Sequence, residues 1–152
     1  KVQLNIVGDG SYLEQLKNIV QEKKFRNIVF WGRKPREEIF KYLDASDFLI
    51  VSLIDKEIFS LTVPAKTQTY IATNKPVIAI INGEASEIVR ENNLGLVCSP
   101  SDVEQIKATF IKAINTTNEE KNEYIRNSEF LTNNVFKKEI IIDNLLELLK
   151  RG

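Results

Sequence analysis

Short apolar runs alternate along the chain with longer segments in which apolar residues recur every three or four positions. The short runs have the length of buried strands, and the longer segments have the period of amphipathic helices. Strands that alternate with helices are typical of a parallel sheet with helical crossovers. The pattern predicts strands at residues 3–7, 27–31, 47–53, 76–81 and 96–98.

The remaining periodic segments predict helices at residues 12–23, from residue 35, and at 63–73, 85–92, 101–114 and, as a pair, 117–149. Ser11 with Glu14, and Ser101 with Glu104, have the spacing of a capping box. Pro35 suits the first position of a helix. We expect the first two helices to bury these apolar residues: Leu13, Leu16, Ile19, Val20, Ile39, Phe40 and Leu43.

The resulting fold class is α/β, a Rossmann-like doubly wound parallel sheet in a single domain over residues 1–152. In such sheets, ligands bind beyond the carboxyl ends of the strands. The candidate functional loops are therefore residues 8–11, 32–35, 54–64 and 82–87.

Composition narrows the function further. Lys and Arg number 21 and Asp and Glu number 21, so a formal net charge of zero argues against a general nucleic-acid or membrane-surface binder. There is no histidine, which excludes His-based catalysis and His-ligated zinc within this chain. We expect no metal and no cofactor, and we expect the one cysteine, Cys98, to be a buried strand residue in a reducing, cytoplasmic protein.

Several segments together carry a family resemblance. Residues 4–10, LNIVGDG, resemble the "IVGDGP" strand and loop of retaining nucleotide-sugar glycosyltransferases with the two-domain GT-B architecture. Residues 30–39, FWGRKPREEI, resemble their "F-x-G-x-V-P-x-E-E-L". Residues 64–78, PAKTQTYIATNKPVI, are similar to "P-x-K-x-x-E-Y-M-A-x-G-K-P-V-I". Residues 42–48 and 84–98 look like the motifs "Y-x-x-A-D" and "G-x-x-E-I-V-x-x-x-x-x-G-L-V".

The resemblance extends over roughly residues 4–114 and implies the donor-binding, C-terminal half of such an enzyme, in a subgroup that builds bacterial surface polysaccharides. The donor would be a nucleotide-diphosphate sugar. The acceptor, a glycan or a lipid-linked glycan, would bind a missing N-terminal domain. In the family, a strand and a helix that supply an Arg and a Lys to the diphosphate precede residue 1, and the chain begins on a strand without a methionine. We therefore expect a fragment that is inactive alone, with any peripheral contact at the inner membrane face made by the missing half.

The physical chemistry of a diphosphate points to one helix start. Backbone N–H groups at a helix N-terminus bind anions, and the turn 60–63 opens the helix after the central predicted strand. We expect the diphosphate on the backbone of Ser60, Leu61, Thr62 and Val63 and on the two hydroxyls, with Lys66 one turn further along. The alternatives are that Thr62 is only an N-cap and that Lys66 is a solvated surface lysine.

Two further loops complete the expected site. In the family, the backbone after the second strand contacts the base, which places Gly32, Arg33 and Lys34 there. The family's first loop, Gly8, Asp9 and Gly10 in this sequence, faces the interdomain cleft. A solvated basic pair at 33–34 and a plain strand-to-helix turn at 8–10 are the alternatives. Glu84 and Glu87 are expected to begin a helix, and the alternative is that they orient a sugar.

The sequence departs from the family at two acids. The family's ribose-binding glutamate falls at Thr69 and its second glutamate at Leu61. Thr69 offers one hydrogen bond in place of a carboxylate, and Glu57 is a nearby substitute acid. Three functions stay open: a glycosyltransferase, a nucleotide-sugar epimerase of the same architecture, and a degenerate, non-catalytic nucleotide-binding or docking domain.

Overall fold

Five parallel strands form two sheets within residues 2–60 and 62–151, the part of the chain that this computed structural model describes. The side chains of residues 57, 60, 144 and 151 are outside that part as well. One sheet has two strands and lies in the unit Lys1–Ala45, and the other has three strands and lies in the unit Ser46–Gly152. The α/β class with parallel strands is confirmed. Where the sequence predicted one sheet, the described hydrogen bonds group the strands two and three, and the single domain stays a prediction.

The first unit alternates strands and helices: β1 (Leu4–Val7), α1 (Leu13–Glu22), β2 (Ile28–Gly32) and α2 (Arg36–Asp44). The pairing of β1 with β2 skips one residue, because Ile6 lies opposite Phe30 and Val7 lies opposite Gly32. The skipped residue is Trp31, whose indole N–H donates to the Asn5 side chain over 2.9 Å. Because of this bulge, the last residues of the two strands, Val7 and Gly32, lie opposite each other.

The predicted buried stripe of α1 is wrong in part. Leu16 and Ile19 are 43% and 42% exposed, and Phe40 on α2 is 56% exposed. A two-stranded sheet is too narrow to cover the whole apolar stripe of a ten-residue helix. The predicted Ser11 cap is wrong too, since Tyr12 is the N-cap of α1 and no side chain caps it. Pro35 is the N-cap of α2 and not its first residue.

The second unit contains the remaining elements, in the order β3 (Leu49–Ser52), α3 (Glu57–Ser60), α4 (Ala65–Ala72), β4 (Val77–Ile80), α5 (Glu84–Glu91), β5 (Gly95–Cys98), α6 (Val103–Asn115), α7 (Asn118–Asn134) and α8 (Lys138–Arg151). The short helix α3 lies within residues 54–64, which the sequence predicted to be a loop. Strand order is β3-β4-β5 with every pair parallel.

Both faces of the three-stranded sheet are covered. On one face, Val77 and Ala79 of β4 pack in a cluster with Ile71, Val89 and Leu131 from α4, α5 and α7. On the other face, Ile78 and Leu96 pack in a second cluster, which takes Ala113 from α6 and Tyr124 from α7. A sheet buried on both faces is what the continuous apolar runs in the sequence predict.

Two helix starts differ from the sequence prediction. Asp102 caps α6 by accepting from the Gln105 N–H, so the box predicted at Ser101 and Glu104 is wrong by one residue. Thr117 and Glu120 form a capping box at α7 that the sequence analysis did not predict. At the end of the chain, α8 leaves apolar residues such as Leu145 and Leu148 exposed.

Gly95 shows how tightly β5 approaches β4. Its φ is +152°, and a Cβ built there would lie 2.0 Å from the carbonyl oxygen of Val77. That oxygen belongs to the backbone of the central strand, which cannot move aside without disturbing the sheet. Only glycine fits at this position.

We expect Gly95→Ala to lower the free energy of unfolding by about 3 kcal/mol, since it combines backbone strain with a clash against the sheet. Gly10→Ala is the matched control, because nothing lies within 4 Å of a Cβ built at Gly10. Urea unfolding of both variants measures the difference. Equal stabilities of the two variants would contradict the tight strand approach.

The α7 capping box predicts a dependence of stability on pH. Hydrogen bonds from the Thr117 backbone and then its hydroxyl hold the pKa of Glu120 below its usual range. A lowered pKa stabilises the fold above the unfolded pKa of about 4.3 and loses that stabilisation as pH falls through the folded pKa. Wild type should therefore melt higher than Glu120→Gln at pH 7, and the difference should disappear toward pH 2. A difference that persists unchanged at low pH would contradict this cap.

Candidate functional site

The strand ends of the first unit bring two glycines together. The Gly8 N–H donates to the Gly32 carbonyl over 2.8 Å, and these residues have φ values of +129° and +66°. Nothing lies within 4 Å of a Cβ built at either glycine. The positive φ values therefore explain why both residues are glycine. The space beside the two strand ends is open.

Charged side chains flank these glycines. The Arg33 guanidinium lies 4.0 Å from the Asp9 carboxylate, and both side chains are mostly exposed. An exposed pair at this distance contributes little stability, so each remains available to another charged group. Lys34, which follows Arg33 in the sequence, is half-buried. Nothing lies within 4 Å of a Cβ built at Gly10.

In the second unit, the start of α4 is electrostatically unlike a typical helix start. Its N-cap is Pro64, no side chain caps it, and its first turn contains no acidic residue. By contrast, acidic residues lie in the first turns of α1, α2, α5, α6, α7 and α8. The first amides of a helix have no intrahelical partner and carry partial positive charge. At α4 this charge is reinforced by Lys66 in the same turn.

The helix that was predicted to start at residue 63 starts two residues later. The helix begins at Ala65, so Thr62 is not its N-cap. The Thr62 hydroxyl instead donates to the Phe59 carbonyl over 3.4 Å, and Val63 packs against the core cluster of β4. Leu61 and the side chains of Ser60 and Glu57 lie outside the described residues, so the predictions for them have no structural test.

The exposed face of α4 carries the other two predicted residues. Lys66 and Thr69 are exposed and are three positions apart, which places them on one face of the helix. Thr67 and Ile71 are buried on the opposite face. The Thr69 hydroxyl donates to the Ala65 carbonyl over 3.0 Å, so its hydrogen is already engaged inside the helix. Toward a ligand, Thr69 therefore offers only the acceptor side of its oxygen.

Three loops at the carboxyl ends of β3, β4 and β5 meet at Asp55. The Asn82 amide donates to Asp55 Oδ1 over 3.0 Å, and the Ser101 hydroxyl donates to Oδ2 over 2.5 Å. The bond from Ser101, and then the bond from Asn82, hold the pKa of Asp55 below its usual range. Sequence analysis missed this cluster, although a polar residue after each of three neighbouring strands was a usable signal.

The predicted positions of Cys98 and of the pair Glu84 and Glu87 agree with the structure. Cys98 is free and buried in β5, as predicted. Glu84 and Glu87 lie in the first turn of α5, where the helix dipole favours acids.

Among the described residues, no three His, Cys, Asp or Glu side chains form a group able to hold a metal ion. No described helix is both long enough and apolar enough to span a bilayer.

Two known proteins are similar to this chain in sequence over about two thirds of its length or more. The chain is 31% identical over 104 residues to the "Probable glycosyltransferase WbjE" of Pseudomonas aeruginosa, covering 67% of this chain and 26% of that protein. It is 27% identical over 112 residues to the "Amylovoran biosynthesis glycosyltransferase AmsK" of Erwinia amylovora, covering 72% and 28%. The chain thus spans less than a third of these relatives.

Solved structures show the same fold. The crystal structure of Anabaena Alr3699/HepE in complex with UDP superposes with a TM-score of 0.80 at 18% identity, over 99% of this chain and 41% of that one. A glycosyltransferase from Rickettsia africae ESF-5 superposes with a TM-score of 0.71 at 23% identity, over 99% and 40%. The predicted fold class is confirmed by these neighbours.

A sequence model of one family matches residues 1–129 of this chain, from the first strand to well within α7. That match includes every loop described above. The chain belongs to the family of glycosyl transferases group 1.

Proposed function

We propose that this chain binds the nucleoside-diphosphate sugar of a glycosyltransferase that builds a bacterial surface polysaccharide, such as a capsule or an O-antigen. Family membership and the names of the relatives support the reaction class. The neighbours solved in complex with UDP and with UDP-glucose support a uridine nucleotide as the first donor to test.

The start of α4 carries this proposal. It combines an N-cap without a side-chain hydrogen bond, no acid in the first turn, and Lys66. Anions bind at helix N-termini because the amides point at the ligand and the dipole favours negative charge. A diphosphate seated there would face amides and an ammonium group and no carboxylate from that turn.

This arrangement suits the chemistry of sugar transfer. The bond between the anomeric carbon and the β-phosphate oxygen breaks, and its electron pair stays on the diphosphate. The acceptor hydroxyl oxygen forms the new bond to the same carbon, and its proton is taken up by the departing diphosphate. Groups that are fixed in place before the reaction stabilise the charge that develops on the leaving group, which is the role we assign to the α4 amides and Lys66.

The loops of the first unit have a separate part in the proposal. The open space beside Gly8 and Gly32 allows a ligand to approach the backbone closely. Asp9, Gly10, Arg33 and Lys34 border those glycines, and a planar guanidinium such as that of Arg33 is able to stack on a base or bind a phosphate. The acceptor, a glycan or a lipid-linked glycan, is assigned to a part of the enzyme outside this chain.

The proposal also assigns the enzyme a cellular location and excludes some partners. The protein acts in the cytoplasm, with peripheral contact at the inner membrane face made by another part of the enzyme. It uses no metal and no nucleic acid. The family's mechanism needs the other half of the enzyme to close over the donor, so this chain alone binds the nucleotide weakly and does not turn over.

One observation favours a second function, a non-catalytic nucleotide-binding or docking domain. The Thr69 hydroxyl hydrogen is engaged with Ala65, so the position at which the resemblance places a ribose-binding carboxylate offers a single acceptor. A carboxylate would offer two oxygens to two ribose hydroxyls. The two functions differ in whether a donor sugar adds affinity beyond the bare nucleotide.

Thermal unfolding with nucleotides and sugar nucleotides separates these functions. A ligand that binds only the native state raises the melting temperature by mass action. We expect UDP at about ten times a millimolar Kd to stabilise the chain by about 1.4 kcal/mol. UDP-glucose at the same concentration should stabilise it further, and both should stabilise it more than ADP, GDP or TDP with their sugars. Stabilisation by UDP alone, with nothing added by the sugar, would favour the non-catalytic domain. No stabilisation by any of them would contradict nucleotide binding.

Lys66→Ala tests the diphosphate position directly. We expect a five- to tenfold loss of UDP affinity, about 1–1.4 kcal/mol, because one charge-assisted contact is removed. Lys107→Ala is the control, since Lys107 is an exposed lysine on α6 that pairs with Glu104. Calorimetric titration of UDP should show the loss only at residue 66. Equal affinities of the two variants would remove Lys66 from the site.

A further inference from the structure

Asp55 is an exposed acid whose two carboxylate oxygens are both used. One accepts from Asn82, directly beyond β4, and the other accepts from Ser101, beyond β5. Asp55 itself lies three residues beyond β3. One side chain thereby connects the ends of all three strands of the second sheet.

The partners of Asp55 are themselves held in place. The Ser99 N–H donates to the Gln105 side chain over 2.6 Å, and the Gln105 N–H donates to its cap Asp102 over 2.9 Å. Ser101 therefore belongs to a turn that is fixed to the start of α6. Asn82 follows Ile81, which is buried in the core cluster of β4. The loop that contains Asp55 is thus hydrogen-bonded to two rigid parts of the fold.

The segment that Asp55 secures leads into the proposed donor site. Residues 53–64 run from the end of β3 through α3 to the Pro64 cap of α4. The part of this segment before α4 has few other attachments in the described residues: the Leu53 N–H to the Ile80 carbonyl, the Phe59 N–H to the Lys56 carbonyl, and the Thr62 hydroxyl. Leu53 and Val63 pack against the core cluster at the two ends of the segment, whereas Ile54 and Ile58 between them are exposed.

We propose that Asp55 is a positioning residue: through Asn82 and Ser101 it fixes residues 53–60 against the sheet and so sets where the α4 N-terminus meets the donor diphosphate, a role that rests on the proposed function. Asp55 does not touch the ligand. Its carboxylate is the common acceptor for two donors, so the three loops keep one arrangement before the nucleotide arrives. A pre-organised site loses less conformational entropy on binding. The lowered pKa of Asp55 agrees with this role, because bonds to the charged form stabilise the carboxylate at neutral pH.

Amide hydrogen exchange on the complete chain tests the positioning role without any ligand. In Asp55→Ala, we expect exchange within residues 54–64 to become about fivefold faster or more, since two hydrogen bonds are lost. Exchange within α7 should stay unchanged, because that helix is held by the core clusters. Asp55→Asn should recover part of the protection, since its amide retains one acceptor oxygen.

Glu84→Ala is the matched control, since it removes another exposed carboxylate near the same strand ends and leaves the cluster intact. Ser101→Ala should have a smaller effect than Asp55→Ala, and the double variant should lose no more than Asp55→Ala alone, as expected for groups acting together. Exchange in Asp55→Ala equal to that in Glu84→Ala would overturn the proposal. Uniformly faster exchange that includes α7 would overturn it as well, by assigning Asp55 a general stabilising role.

A titration with UDP connects the segment to the site. We expect Asp55→Ala to bind UDP about fivefold more weakly or worse, with Asp55→Asn intermediate and Glu84→Ala like wild type. If wild type binds UDP and Asp55→Ala binds it equally well, the positioning role fails while the proposed function stands. If wild type does not bind UDP, the proposed function fails and the link from Asp55 to a donor site fails with it, and the exchange result then reports only on the loop.

Discussion

The central strand β4 is hydrogen-bonded along both edges and covered on both faces, and the arrangement of the second unit depends on that double burial. Its alternating residues divide between two core clusters, so a slip of one residue would exchange the faces. On one side, Gly95 brings β5 too close for any other residue. The register of the three strands is therefore fixed, and their carboxyl ends reach the same edge.

That fixed edge makes the chemistry at the loops possible. Asp55 is able to accept from Asn82 and Ser101 only because the residues following β3, β4 and β5 leave the sheet side by side. The same register places the start of α4 after β3, at the edge where ligands bind in sheets of this kind. Lys66 and the uncapped amides of α4 form a cationic helix start among helices that begin with acids. We attribute the proposed donor recognition to this contrast.

The sequence predicted the features that local interactions decide, and it missed those that depend on contacts between distant residues. Apolar periodicity located all five strands to within two residues, because strand burial is a local pattern. It failed where tertiary cover decides the outcome: Leu16, Ile19 and Phe40 are apolar at helical spacing, but a two-stranded sheet leaves them exposed. Capping motifs were wrong by a residue or were missed, since a cap depends on backbone angles just outside the helix.

The candidate site was predictable to a similar degree. The structure has Gly8 and Gly32 at strand ends and Lys66 in the first turn of a helix, where the sequence placed them. Their role in binding stays a prediction. The role assigned to Thr62 changed because α4 begins at Ala65 and the Thr62 hydroxyl donates to the Phe59 carbonyl. The Asp55 cluster was missed because Asp55, Asn82 and Ser101 are far apart in sequence and meet only through the strand order.

The central claim is that the α4 N-terminus receives the diphosphate. Titrating the isotope-labelled chain with UDP while recording its amide NMR spectrum tests this claim most directly. We predict that the largest, saturable shifts fall on the amides of residues 62–67, and that uridine without phosphates leaves them unchanged. Saturable shifts that are confined to other residues, or shifts equally large with uridine, would contradict the account.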